Sequence, residues 1–399
     1  MNSPNDIKYI RITDFDDDGI PLGHEFVTAE IIENNCRLVQ DDMLFARSGA
    51  TVGKTFIYNQ DIGPAVFAGY CIRFRFDSSR VLPKFVYYYT KTTRYQAWVR
   101  SIQRPSGQPN INKEEFKSFT IPVPSFSVQA KLVKDLDSAY AAKKDKLVKA
   151  KNLVAELDGY LLEQLGVTPS PEDSRKIFAV RLGQLRGKRI DALAYQPFFA
   201  KGHPPKTPTR PLCEIATIDP NIVPKPTDET ELVPYVGLPE CELTEVREVV
   251  MRPYFEVRGR SIVKQGDILF ARIEPSVFNK KYVLADDLKG HKYAYTSTEF
   301  YVVRAKQSEV LQEYLYAMFF CSFVFAQVKG KTTGSSGRRR IDPDLFALLQ
   351  IPVPGLKLQE SIGAEIALRR MEARHLRSEA AADWIAAKAQ FEQRLVEGL

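Results

Sequence analysis

The amino-acid sequence is written twice. Asp42-Met-Leu-Phe-Ala-Arg47 recurs as Asp267-Ile-Leu-Phe-Ala-Arg272, an offset of 225 (42 to 267), and Ile121-Pro-Val-Pro124 recurs as Ile351-Pro-Val-Pro354, an offset of 230 (121 to 351). Between these anchors the features follow one order: an aromatic strand-like run (65–76; 293–304), an aromatic helix (83–99; 310–328) and a polar glycine loop. A repeat of this length makes each copy a unit that must bury its own core. The chain's 399 residues suit two to three domains rather than one.

Each copy has the same coarse plan. Alternating runs such as 67–76 and 300–304 predict strands in an antiparallel or mixed sheet, and the following aromatic segments predict helices covering it. After each Ile-Pro-Val-Pro, whose prolines interrupt helix, a long charged segment of helical period closes the copy. In the first, Leu132, Leu136, Ala139, Ala150, Leu153, Leu157 and Tyr160 form the stripe, with Lys143 and Lys146 on the seam. In the second it is Ile362, Ile366, Arg369, Ala373, Leu376, Ala380, Ala387 and Phe391. A stripe this narrow is not stable alone, so the two helices are expected to pair as an antiparallel coiled coil. A helix of about 35 residues is roughly 50 Å long, enough to act as a spacer. The bland alternative is two unrelated surface helices.

The expected fold class is therefore α/β in the broad sense (α+β), with two globular domains in tandem pseudo-repeat separated by two long helices. The expected boundaries are 1–125 for the first globular domain, 126–165 for the first helix and 166–210 for a proline-bracketed linker. Residues 211–354 form the second globular domain and 355–399 the second helix.

The formal charge of +7 and a pI near 8.9 are compatible with a polyanionic partner, although many proteins without one carry similar charge. No run of about 18 uncharged apolar residues exists to span a bilayer. The apolar run 314–328 is short and reads as a buried helix. The opening MNSPNDIKYIRITDF has no basic region followed by an apolar one, which predicts a cytoplasmic protein. The five cysteines are scattered, with no C-x-x-C pair, arguing against a disulfide framework or zinc site.

The residues resemble the specificity subunits of type I restriction-modification systems. The likeness is carried by the two D-x-L-F-A-R strand ends, the Arg104-Pro-Ser-Gly-Gln-Pro-Asn-Ile111 loop leading into 116–121, the Ile-Pro-Val-Pro junctions, and Gln129 or Gln359 opening a long helix. Arg189-Ile-Asp-Ala-Leu-Ala-Tyr-Gln-Pro-Phe198 and Leu212-Cys-Glu-Ile-Ala-Thr-Ile218 resemble that family's approach to a recognition domain. The resemblance implies two target recognition domains, each reading half of a bipartite site in double-stranded DNA. It also implies helical regions that dock methyltransferase subunits, two in number, with restriction subunits joining through them, and no cofactor or catalysis in this chain. One departure stands out. Tyr235 corresponds to Tyr9, an offset of 226, so the counterpart of Leu212 would fall before residue 1; the first copy lacks that opening segment. If the first domain is thereby incomplete, a homodimer could complete it.

The polar loops are the candidate DNA contacts. Arg104, Ser106, Gln108 and Asn110 carry side chains able to meet base edges or phosphate. Their counterparts Lys329, Lys331, Arg338, Arg339 and Arg340 make a basic loop suited to a phosphate backbone. Arg47, Lys54, Arg272, Lys280 and Lys281 follow the repeated strands and can flank the same surface; ordinary charged hairpin residues are the plain alternative.

Other motifs weigh less. Gly49-Ala-Thr-Val-Gly53-Lys54-Thr55 has three residues between its glycines where a phosphate loop needs four. Asp342-Pro-Asp-Leu-Phe346 lacks the second proline of an adenine methyltransferase turn and reads as a helix start. Glu115-Phe-Lys117 has no suitable upstream Asp for a metal nuclease, and four separated histidines give no metal-ligand spacing. The competing function is a helical adaptor whose duplicated domains bind protein. Copies that keep their cores while their polar loops diverge favour two different DNA half-sites over two identical protein modules.

Overall fold

Each repeated hexapeptide folds as the middle strand of a sheet, and its unbroken apolar character follows from burial on both faces. In the computed structural model, which describes residues 7–15, 26–28, 34–102, 109–167, 207–220, 226–242, 244–328, 332–334 and 339–397, Met43–Ala46 pairs antiparallel with Thr55–Ile57 and Cys71–Phe74. Ile268–Ala271 likewise pairs with Tyr282–Leu284 and Phe300–Ala305. Side chains alternate across a strand, so Ile268 and Phe270 enter one core cluster while Leu269 and Ala271 enter another. Met43 and Phe45 are split from Leu44 in the same way. A second sheet in each half is mixed: Lys8–Ile10 runs parallel to Ala65–Phe67, and Leu232–Val236 parallel to Tyr293–Thr296.

The aspartate that opens each hexapeptide closes a turn and holds an arginine. Asp42 accepts from Val39 N–H at 3.0 Å and pairs with Arg75 at 2.6 Å. Asp267 accepts from Lys264 N–H at 2.8 Å and pairs with Arg304 at 2.7 Å. Both aspartates are buried.

The chain forms two compact units, residues 1–148 with 377–399, and residues 149–376. This partition differs from the expected one because both long helices are shared. Phe126–Ala155 and Leu356–Glu397 each supply a part to both units. In the first unit they run antiparallel: Arg394 meets Asp135, Tyr140 packs on Trp384, and Lys146 pairs with Asp383 and Glu379 at 2.7 and 3.2 Å. The seam position Lys143 lays its amine over the Trp384 ring. In the second unit Leu157, Leu161 and Leu165 share a core with Ile362 and Ile366, and Arg369 lies over Tyr160.

Three expected helices are broken. The first closing helix ends at Ala155 and resumes as Leu157–Leu165. The first aromatic helix divides into Pro83–Tyr89 and Thr93–Ile102, and the second into Gln312–Met318 and Ser322–Phe325. At the first aromatic break Thr90 and Thr92 turn their hydroxyls onto Tyr87 O and Tyr89 O, and the Lys91 amine reaches Thr55 O at 3.1 Å. Local side-chain bonds of this kind compete with the helical ladder.

A buried glutamine in each copy ties the start of the long helix to the start of the aromatic helix. The Gln129 carboxamide accepts from Leu82 N–H and donates to Pro124 O, both at 2.8 Å. Gln359 accepts from Leu311 N–H at 2.9 Å and donates to Pro354 O at 2.8 Å. Gln359→Ala leaves a buried donor and acceptor unmet, so a loss of about 1–3 kcal/mol is expected in urea unfolding. A change below about 0.5 kcal/mol, the size of an ordinary surface substitution, would show that the glutamine is not such a tie.

The second unit has a segment with no counterpart among the described residues of the first. In the second, Thr209–Pro211 pairs with Gln350–Pro352, Leu212–Ile215 makes a helical turn, and Ala216–Ile218 pairs with the outer edge of Phe300–Ala305. Among the described residues of the first unit, no strand pairs with the outer edge of Cys71–Phe74.

Candidate DNA interface

The polar loops return onto the ends of the hexapeptide strands, in both units through the same backbone bonds. Ile111 N–H donates to Arg47 O at 2.9 Å and Gly49 N–H to Pro109 O at 3.0 Å. In the second unit Ile341 N–H donates to Arg272 O and Glu274 N–H to Arg339 O, both at 2.9 Å. The strand ends shift by 225 (47 to 272) and the loop ends by 230 (111 to 341), the two offsets of the sequence repeat. Arg47 and exposed Asn110 are thereby brought together on one unit, and Arg272, Arg339 and Arg340 on the other.

The second cluster is ordered by carboxylates. Arg340 Nε donates to Glu299 Oε2 at 2.9 Å, with a second contact from its Nη2 to Oε1. That guanidinium holds the Glu299 carboxyl below the usual carboxylate range. Arg339 lies 3.3 Å from Glu274 and also donates to Thr332 O at 2.9 Å. A guanidinium has five N–H donors, so such pairing orients it while leaving donors for a phosphate or base edge. Arg272 lies over the Tyr301 ring with its centroid 5.1 Å away, and its buried Nε has no hydrogen-bond partner among the described residues.

The remaining candidates are placed differently. Lys54 is half-buried in the hairpin between Met43–Ala46 and Thr55–Ile57. Lys280 donates its amine to Phe320 O at 3.2 Å, and Lys281 donates to Leu238 O, so both amines are directed at main-chain carbonyls. Arg104, Ser106, Gln108, Lys329, Lys331 and Arg338 lie outside the described residues, as does the 189–198 segment. Sequence reasoning missed Glu274 and Glu299, whose signal was present: each is an acid near a strand end that precedes or faces the basic loop.

Motifs that invited other chemistry have structural tasks. Gly53 has φ +86°, and a Cβ there would stand 2.6 Å from Val99 Cγ1, so the glycine is required by packing against Thr93–Ile102. Asp342 caps Pro343–Ala347, accepting from Asp344 N–H at 3.0 Å. Glu115 closes a capping box with Asn112 at the start of Lys113–Ser118. Burial pushes the thiols of Cys71, Cys241 and Cys321 up to about 12, whereas Cys213 is exposed. Among the described residues no group of three or more His, Cys, Asp or Glu is placed to hold a metal ion. None of the described helices is long and apolar enough to cross a membrane.

Comparison with known proteins finds similar sequences of one kind. The chain is 31% identical over 147 residues to the Escherichia coli type I restriction enzyme EcoEI specificity subunit, covering 36% of this chain and 24% of the relative. It is 27% identical over 143 residues to the Salmonella potsdam StySPI specificity subunit, covering 34% and 31%. The chain thus spans about a quarter to a third of the length of these curated relatives. A chain from a solved structure titled for the complex assembly and conformational transition of the type I R-M system aligns with a TM-score of 0.49 at 13% identity, covering 98% of this chain and 90% of that one. The profile of the type I restriction modification DNA specificity domain matches residues 1–156. That match lies in less than half of the chain, and it is there that the likeness to the type I restriction modification DNA specificity domain is carried.

Proposed function

We propose that the chain is the DNA-reading component of a type I restriction-modification complex, each unit addressing one half of a bipartite site in double-stranded DNA. One observation carries this reading: both units use the same backbone register to seat a polar loop on the hexapeptide strand, yet the loops differ in chemistry. A common frame with divergent side chains suits two different half-sites. In this reading Arg47, Arg104, Ser106, Gln108 and Asn110 face one half-site, with Lys54 at its margin. Arg272, Lys329, Lys331, Arg338, Arg339 and Arg340 face the other. Lys280 and Lys281, held on carbonyls, fix the hairpin that carries Arg272. In this reading 1–125 and 211–354 read DNA, and 126–165 and 355–399 dock methyltransferase subunits, with restriction subunits joining through them. The chain itself performs no catalysis in this scheme and acts in the cytoplasm.

The test is selection of duplexes from a randomised library by the chain assembled with its methyltransferase subunits. The expected motif is split into two unlike half-sites with a constant gap. A contiguous motif, a palindrome of one half-site, or no enrichment would overturn the assignment.

A further inference from the structure

The two units set different side chains at one position of a shared backbone frame. Arg47 N–H donates to Tyr70 O and Arg272 N–H to Glu299 O, both at 2.9 Å. At the same strand ends Asn110 bridges to Ser48, and Arg340 to Ile273. The repeat thus sets Tyr70 opposite Glu299 (70 to 299, an offset of 229) and Asn110 opposite Arg340 (110 to 340, an offset of 230). Where the first unit presents an exposed Asn110 and an exposed Tyr70, the second presents Arg340 paired with Glu299.

The second pair is built for direction rather than for charge. Arg340 gives its Nε and Nη2 to the two oxygens of Glu299, the Nε bond being 2.9 Å long. That contact occupies one edge of the guanidinium plane. The end formed by Nη1 and the second N–H of Nη2 keeps two parallel donors, and among the described residues no acceptor meets them. The Arg340 side chain is 41% exposed, so this end is accessible. A fork of two parallel donors matches the adjacent O6 and N7 acceptors of guanine in the major groove, and no other base edge there presents two adjacent acceptors. A phosphate contact draws on net positive charge, and a guanidinium neutralised by a carboxylate supplies little of it.

We propose that Arg340, held by Glu299, reads one guanine in the half-site addressed by the second unit. This inference rests on the DNA-reading assignment and names a specificity-determining residue within it. Glu299 is the positioning residue. Its carboxylate fixes the plane of the fork before DNA arrives, which avoids the rotamer entropy that a free arginine side chain loses on binding. Its negative charge beside a polyanion opposes binding to every sequence alike, so the pair favours binding only where the fork meets its base. The neighbouring Arg339 divides its donors between Glu274 and Thr332 O and has no such bidentate brace.

The experiment selects duplexes from a randomised library with the full chain assembled with its methyltransferase subunits. It compares the parent with two variants: Arg340→Ala combined with Glu299→Ala, which removes the pair without changing net charge, and Glu299→Gln alone. The double variant should lower the preference for guanine at one position of one half-site by roughly 5- to 150-fold, with the other positions and the salt slope unchanged. Glu299→Gln should relax the same position in part while raising affinity for duplexes outside the motif, because a negative charge beside the backbone is gone. A merely structural role for Glu299 would lower affinity for all duplexes and leave base preference alone. A parent that selects a split motif which the double variant selects unchanged overturns this inference and leaves DNA reading standing. So does a fall of about 0.9 in the salt slope with the motif intact, the mark of a phosphate contact. A parent that selects no split motif overturns both.

Discussion

Phe346→Ala is expected to destabilise residues 149–376 by about 3–5 kcal/mol, the range for removing a buried phenylalanine. Phe346 is fully buried, stacks on Tyr301 with centroids 4.4 Å apart, and touches Phe270 at 4.7 Å and Phe319 at 6.1 Å. Removing the ring leaves a void that Leu212 and Ile215, held by paired strands, are poorly able to fill. Urea unfolding, with the transition of each unit resolved, measures the loss. The counterpart Phe116→Ala should cost less, because Phe116 already borders a cavity of about 260 Å³ and its removal only enlarges it. Equal losses at the two positions would contradict the difference in packing described between the units.

Replacing Arg338, Arg339 and Arg340 together by alanine is expected to weaken duplex binding and flatten its salt dependence. If each contacts one phosphate, the slope of log affinity against log salt falls by up to about 2.7. Affinity measured at 50 and 200 mM salt would then change by roughly 40-fold less than in the parent chain. The Arg339 and Arg340 substitutions also release Glu274 and Glu299 from their partners. Two unpaired carboxylates beside a polyanion repel it, so the loss of affinity should exceed that of three contacts alone. Fluorescence anisotropy across a salt series checks both effects, and an unchanged slope would remove the loop from the interface.

The duplicated architecture was legible because both periodicities and both anchors were strong. The hexapeptides became central strands, Asp342 capped a helix, and the narrow stripes became paired helices. The helix break at 319–321 was not legible, since Phe319-Phe320-Cys321 continue an apolar run, whereas at 90–92 the polar Thr90-Lys91-Thr92 marks the interruption in the sequence itself. The partition into units also escaped the sequence. A stripe shows that a helix has a partner face but not which core lies beneath it, and Trp384, a main contact of the first unit, lies off the stripe as read. At the site, the loop positions followed from the repeat and Glu274 and Glu299 stood near the strand ends, whereas the pairing of each with Arg339 or Arg340 is set by the fold. Lys280 and Lys281 looked like surface cations, and the fold directs both amines inward.

The sharing of Leu356–Glu397 between units has a consequence for biosynthesis. Residues 377–397 wall the core that contains Phe85, Leu132 and Leu136, so the unit begun first on the ribosome lacks a wall until the last part of the chain is made. At about 5–20 residues per second, translating the intervening 228 residues (149 to 376) takes roughly 10–45 s. During that interval the nascent first unit exposes the apolar surface that Trp384, Phe391 and Leu395 later cover, and transiently exposed surface of this kind is where aggregation competes with folding.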